Sequence, residues 1–210
     1  MSKLPRSGLT ESPGAVEIRM ERFGLFGGSF DPVHLGHLLV AQAAREELSL
    51  TRLFFVPAAQ SPFKPARPPT PANERLRLLR LALAGKDWCA IDEQEIHRGG
   101  VSYTIETVRD YISRFPQAQL FYLIGADHVA ELPKWRHAEE LARAVEFVVI
   151  PRPGRMEVPF PEPFRGRTLT GFPLGISSSQ IRGRLRAGQT IEDLVPAAVA
   201  EAIRNNRLYL

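Results

Sequence analysis

The segment Gly27-Gly28-Ser29-Phe30-Asp31-Pro32-Val33-His34-Leu35-Gly36-His37 carries residue types that could do chemistry on an anion. Two glycines after an apolar run let backbone amides approach a ligand without side-chain interference. If a helix starts near Leu35, His34 and His37 fall on adjacent sides of its first turn. There the unspent N–H groups and the positive end of the dipole favour a phosphate, to which two imidazoles can donate hydrogen bonds. The same pair could instead cap the helix or form half of a metal site. A metal site needs a third protein ligand, and only Asp31 is close in sequence. Neither the dinucleotide fingerprint nor the P-loop lysine motif is present, so the glycines alone say little.

A second segment, Ile176-Ser177-Ser178-Ser179-Gln180-Ile181-Arg182, places hydroxyl and amide donors at another helix start, with Arg182 about one turn in. A guanidinium there could reach the same anion with its planar fork, although a plain N-cap with a surface arginine reads the same way. Trp135, between Lys134 and Arg136, is a flat apolar platform for a ring or else a core tryptophan under a helix.

The elements that must position these residues alternate. Phe23 to Phe26, Leu53 to Val56, Leu120 to Ile124 and Phe147 to Ile150 read as strands, with a weaker strand at Cys89 to Ile91. Helical spacing covers Leu35 to Leu48, Asn73 to Leu83 with Asn73 as cap, and Thr104 to Phe115 ended by Pro116. Two short helices fill the interval between the last two strands, and Pro151 to Pro173 reads as irregular. Helices then run from Ser178 to Ala187 and from Pro196 to Asn205, the latter with proline in a tolerated first-turn position. The expected fold is α/β: a Rossmann-like doubly wound parallel sheet with helices on both faces and a small C-terminal helical part, about 176–210. Ligands in such sheets bind beyond the carboxyl ends of the strands, which is where the glycine-rich segment falls.

A chain of 210 residues suffices for one packed domain, here 21–210. Residues 1–20, rich in Ser, Pro, Gly and Glu, read as a disordered extension with no apolar core for a secretory signal. No apolar run approaches the roughly 20 residues a bilayer span needs. A single cysteine, Cys89, excludes an internal disulfide, reads as a small buried hydrophobe, and suits the cytoplasm. The net charge of +4 is scattered, with no basic–aromatic stripe, so the partner is read as a small polyanion rather than nucleic acid.

Together the two segments resemble the paired signatures of the nucleotidyltransferase superfamily, a His-x-Gly-His element and a later Ile-Ser-Ser-x-x-Ile-Arg element. Within it the chain resembles bacterial nicotinate-mononucleotide adenylyltransferases over nearly all of residues 22–210. The matching stretches include Ser102-Tyr103-Thr104, Ile124-Gly125-Ala126-Asp127, Leu132-Pro133-Lys134-Trp135, Arg152-Pro153-Gly154 and Asp193-Leu194-Val195-Pro196. One departure stands out: Ser61-Pro62-Phe63-Lys64 occupies the place of the usual Pro-Pro-His-Lys, so Lys64 keeps its charge but Phe63 cannot donate to an oxyanion.

The resemblance implies adenylyl transfer from ATP to nicotinate mononucleotide, with Mg2+ bound mainly through the ATP phosphates. It implies catalytic roles for His34, His37 and Arg182, with His37 nearest the α-phosphorus. ATP would be held by Gly27, Gly28, Ser29, Phe30, His34, His37, Lys64, Gly125, Asp127, Ile176, Ser177, Ser178 and Arg182, and the mononucleotide by Thr104, Trp135 and Arg152. A homo-oligomer is compatible with it. The rivals are transfer of an adenylyl or cytidylyl group to another phosphate, and a nucleotide-binding regulatory module without turnover.

Overall fold

In the computed structural model, the described residues are 20–62, 69–151, 159–172 and 174–210. The expected extension apart from Met20, together with Phe63, Lys64 and Arg152, lies outside them.

Six strands form one parallel sheet: β1 (Arg22–Gly28), β2 (Arg52–Pro57), β3 (Cys89–Ile91), β4 (Gln119–Gly125), β5 (Glu146–Ile150) and β6 (Gly166–Thr168), in the order β3-β2-β1-β4-β5-β6. The helices are α1 (Leu35–Glu47), α2 (Ala72–Leu83), α3 (Gln94–Arg98), α4 (Thr104–Arg114), α5 (Ala138–Ala144), α6 (Ser178–Arg186) and α7 (Ala197–Asn205). A 3-10 helix (Ala126–Lys134) precedes α5. This is the expected doubly wound fold.

The interiors of β1, β2, β4 and β5 are apolar because both faces are covered, and their side chains alternate between two cores. Phe26, Leu53, Phe55, Phe121, Leu123 and Val148 face one side, where α1, α2 and the C-terminal helices pack. Phe23, Leu25, Phe54, Val56, Tyr122 and Phe147 face the other, under α4, the 3-10 helix and α5. Winding outward from β1 in one direction and from β4 in the other puts the reversal of strand order between these two strands. Their carboxyl ends, Gly28 and Gly125, flank the crevice that such a reversal opens.

The differences from the sequence-based expectation are local. β6 and α3 were not expected; at three and five residues they are too short for a period to show. β6 pairs parallel with β5 within what reads as an irregular stretch. Helix α2 starts one residue earlier than expected, with Pro71 and not Asn73 at its N-cap, and Pro196 likewise caps α7 from just outside.

One buried polar side chain ties this scaffold to the glycine-rich segment. Arg75 of α2 is only 1% exposed. Its Nε donates to the Thr70 carbonyl (2.9 Å) and its Nη1 to the Ser29 carbonyl (2.8 Å). Removing it leaves two part-buried acceptors without this donor and deprives Asp31 of a neighbouring charge. Arg75→Ala is expected to cost about 2–4 kcal/mol in urea unfolding at neutral pH. A loss below about 1 kcal/mol would show that the segment holds its shape without this tie.

Candidate active site

The loop between β1 and α1 is shaped by the partners of its carbonyls. Gly28 O accepts from the Ala58 amide (2.9 Å), Ser29 O from Arg75, Asp31 O from Arg182 Nη1 (2.6 Å) and Pro32 O from Ser178 Oγ (2.9 Å). Three segments far apart in sequence (Ala58 just past β2, α2 and α6) therefore grip four backbone oxygens of one short loop. Phe30 sits at φ 47°, a left-handed turn that brings its ring beneath Gly28 and against Phe26 and His37. A β-carbon at Gly27 would collide with the Tyr122 hydroxyl, so the loop can lie this close to β4 only as glycine.

His34 is the N-cap residue of α1, and His37 lies in its first turn. The two rings stack at 3.7 Å between centroids, 22° from parallel. The Gly36 position is restricted by the same arrangement, because a β-carbon there would come within 3.0 Å of His34 Nδ1. His37 Nδ1 accepts from the His34 backbone N–H (3.2 Å). In a neutral ring that bond puts the proton on Nε2, leaving His37 a donor toward a ligand oxygen.

Helix α6 faces this pair across a cleft. Ser177 caps it reciprocally: Ser177 Oγ accepts from the Gln180 amide (3.2 Å), and Gln180 Oε1 accepts from the Ser177 amide (2.9 Å). Arg182 reaches back to Asp31 O and donates through Nη2 to Ser179 Oγ (3.1 Å). The cleft has a volume of about 710 Å³ and runs from the glycine loop and imidazole pair to Thr104 and Trp135. At that far end Trp135 packs edge-on against Tyr122, His128 and Phe147, each ring 6.1–6.3 Å away. It is thus both a partly buried core residue and a wall of the cleft.

A cytidylyltransferase-like family model matches residues 25–184. The chain is 37% identical over 193 residues to a protein of Opitutus terrae, covering 90% of this chain and 97% of the relative. It is 40% identical over 191 residues to one of Geobacillus kaustophilus, covering 90% and 87%. Both relatives carry the name "probable nicotinate-nucleotide adenylyltransferase". The chain belongs to the nicotinate-nucleotide adenylyltransferase family. Its fold is shared with the Plasmodium falciparum nicotinic acid mononucleotide adenylyltransferase, whose structures complexed with NaAD and with APC superpose with TM-scores of 0.72 and 0.73. Each superposition covers 90% of this chain and 97% of that one at 18% identity.

Against this family background the expected site residues separate into groups. His34, His37, Arg182, Gly27, Gly28, Ser29, Phe30, Gly125, Ile176, Ser177, Ser178, Thr104 and Trp135 all line the one cleft. Asp127 does not: it is exposed on the first turn of the 3-10 helix, where the buried Ala126 and Val129 take the inward positions. Lys134 pairs with Glu131 (2.9 Å), and Arg136 lies over the Tyr103 ring at 4.7 Å. Among the described residues no group of three His, Cys, Asp or Glu side chains could hold a metal, so the half-site reading of the histidines finds no third ligand there. Among them, too, no helix is long and apolar enough to cross a membrane.

Sequence reasoning missed Asp31 as a hub, Glu95, Tyr122 and the penultimate Tyr209. Asp31 Oδ2 accepts from the Thr70 amide (3.4 Å) and lies 4.0 Å from Arg182. Burial, then the neighbouring Asp31 carboxylate, pushes the Tyr209 phenol well above its ordinary range. Glu95 is 4% exposed, accepts from Thr107 Oγ1 (2.5 Å), and titrates above its ordinary value because it is buried. Its signal in the sequence is a lone acid on a five-residue helix, which no period distinguishes from a surface charge.

The imidazoles titrate far from their ordinary 6.5: burial lowers His34 to about 4, and burial followed by the adjacent His34 lowers His37 well below that ordinary value. Both are neutral at pH 7. The unfolded chain takes up protons near 6.5, while native His34 stays neutral down to about 4. Through that window the unfolded state binds more protons, so stability falls as pH falls. The melting temperature of the ligand-free protein should therefore decline between about pH 7 and pH 5. His34→Asn should flatten the decline, and an unchanged slope in that variant would show that His34 is not buried as a neutral ring.

Proposed function

We propose that the protein transfers the adenylyl group of ATP to nicotinate mononucleotide, giving nicotinate adenine dinucleotide and pyrophosphate, in the cytoplasm. The observation that carries the reading is the single cleft with a phosphate end and a ring end. Stacked neutral imidazoles and two helix starts lie at one end, and a threonine with an indole wall at the other. Its volume falls within the range of small-molecule sites.

A phosphate oxygen of the mononucleotide attacks the α-phosphorus in line, one P–O bond forms, and the bond to the bridging oxygen breaks as pyrophosphate leaves. The attacking group is already an anion, so no nucleophilic side chain is needed, and catalysis is positioning plus charge stabilisation. His37 Nε2–H and the α1 helix start donate to the α-phosphate oxygens. Ser177, Ser178 and the α6 helix start meet the distal phosphates, with Arg182 behind them. These groups are donors rather than carboxylates, which suits a magnesium ion carried on triphosphate oxygens and water. Held there, such an ion would supply charge neutralisation for the leaving pyrophosphate. Gly125 lies beside the adenosine, and Thr104 and Trp135 receive the nicotinate ring.

Two measurements test this. Pyrophosphate release with ATP, magnesium and nicotinate mononucleotide should exceed release with CTP or without the mononucleotide, and no release would end the proposal. His37→Ala should lose most turnover while holding ATP affinity within about tenfold, because its contact matters chiefly in the transition state. Near-normal turnover would remove His37 from the mechanism.

A further inference from the structure

The last residues of the chain return to the phosphate end of the cleft. After α7, Arg207 and Tyr209 both take left-handed backbone (φ 49° and 69°), which residues other than glycine rarely adopt. Such strain persists only where the surroundings hold it. Here Leu208 and Tyr209 pack on the core shared by α1, α2 and the C-terminal helices, and the Leu208 amide donates to the Ile203 carbonyl (3.1 Å). The result is a buried Tyr209 hydroxyl beside Asp31, Thr70 and Arg75.

That neighbourhood joins three segments. Asp31 Oδ2 accepts from the Thr70 amide (3.4 Å), and Arg75 ties the Thr70 and Ser29 carbonyls together. Arg182 Nη1 donates to the Asp31 carbonyl at 2.6 Å, yet stands 4.0 Å from Oδ2 of the same residue. Both side chains are largely buried (13% and 12% exposed), and charge-assisted arginine–carboxylate bonds normally close to about 2.7–2.9 Å. Something therefore holds the carboxylate back from the guanidinium. Asp31 Oδ1 and the Tyr209 hydroxyl are both buried, and neither meets a close hydrogen-bond partner among the described residues. An acceptor and a donor so placed satisfy each other with a small shift, since an unmet buried polar group is costly. Burial, then the charge of Asp31, raises the phenol well above its ordinary value, so it remains a donor at any working pH.

We propose that Tyr209 is a positioning residue whose phenol holds the Asp31 carboxylate on the Thr70 side and so keeps Arg182 from closing an ion pair with it. The guanidinium, which lines the cleft, is then left for the phosphates of ATP. The proposal rests on ATP binding in the adenylyl-transfer reading above. Without the phenol, Asp31 swings to Arg182, and each phosphate contact of that arginine must first break a buried pair.

The test measures the ATP dissociation constant by calorimetric titration with magnesium, together with kcat and KM for both substrates. The proteins are the wild type, Tyr209→Phe, Asp31→Asn and the double variant. Tyr209→Phe keeps the ring and its packing and removes one oxygen. The dissociation constant and KM for ATP should rise about fivefold to tenfold, while KM for nicotinate mononucleotide and the melting temperature barely move. In the Asp31→Asn background no carboxylate charge draws Arg182, so the same substitution should cost less than about twofold. ATP affinity that is unchanged in Tyr209→Phe, that falls equally in the Asp31→Asn background, or that falls only along with the melting temperature overturns the proposal. A wild type that binds no ATP overturns the functional reading and this proposal with it. A wild type that binds ATP but transfers nothing to nicotinate mononucleotide overturns the functional reading alone, and the ATP constants of the variants still decide the role of Tyr209.

Discussion

The active loop depends on a backbone constraint: the carbonyls of Gly28, Ser29, Asp31 and Pro32 are held by the Ala58 amide, Arg75, Arg182 and Ser178. A trans peptide points its N–H and C=O in opposite directions. Turning the Ser29 carbonyl toward α2 thus turns the Phe30 amide away from it. Gly28 and Ser29 have little side-chain bulk of their own to fix this geometry, so partners from elsewhere must do so. The site accordingly forms only when α2 and α6 are docked. Even the first amide of α1 is completed by a distant partner, Leu35 N–H donating to the Leu194 carbonyl (3.0 Å). A segment that looks local in sequence is a tertiary structure in fact.

That arrangement explains why the doubly wound fold was legible and the site only partly so. Buried strands such as Leu53 to Val56 and helices such as Leu35 to Leu48 announce themselves by apolar period, and their alternation implies a parallel sheet, whereas the 3-2-1-4-5-6 order is seen only in the folded chain. His34, His37 and Ser177 could be found because two short motifs name them. Arg75 could not, because an arginine within a helical pattern reads as a surface residue, and only the folded chain shows it 1% exposed with two carbonyls in hand. Tyr122 was hidden for the opposite reason: it sits among the apolar residues of β4, and its hydroxyl gains meaning only through Thr104 and Gly27. Asp127 follows Gly125 at the end of β4, and only the folded chain shows that it is exposed on the first turn of a 3-10 helix.

The histidines also differ from a simple picture of cationic phosphate ligands. Stacked at 3.7 Å and held neutral by burial, they offer dipoles rather than charges to an incoming nucleotide. Two imidazolium rings at that separation would repel each other strongly in so dry a place. The charge of a bound triphosphate would act in the opposite direction, favouring protonation of the rings that it touches. The pair can then follow the charge of the reaction without carrying a charge of its own in the empty site.

The positive charge that attracts the polyanion must then come from somewhere else, and the loop's supports supply it. Arg75 and Arg182 lie behind the loop with one carboxylate, Asp31, between them, and guanidinium groups stay protonated at any working pH. Both guanidinium groups sit against the carbonyls of Ser29 and Asp31. Their desolvation is settled during folding, when each arginine finds a backbone carbonyl. The same bonds that set the loop's shape thus set its field. Replacing either arginine by a neutral residue of similar length would disturb both together, so shape and electrostatics at this site cannot be separated by substituting the loop alone.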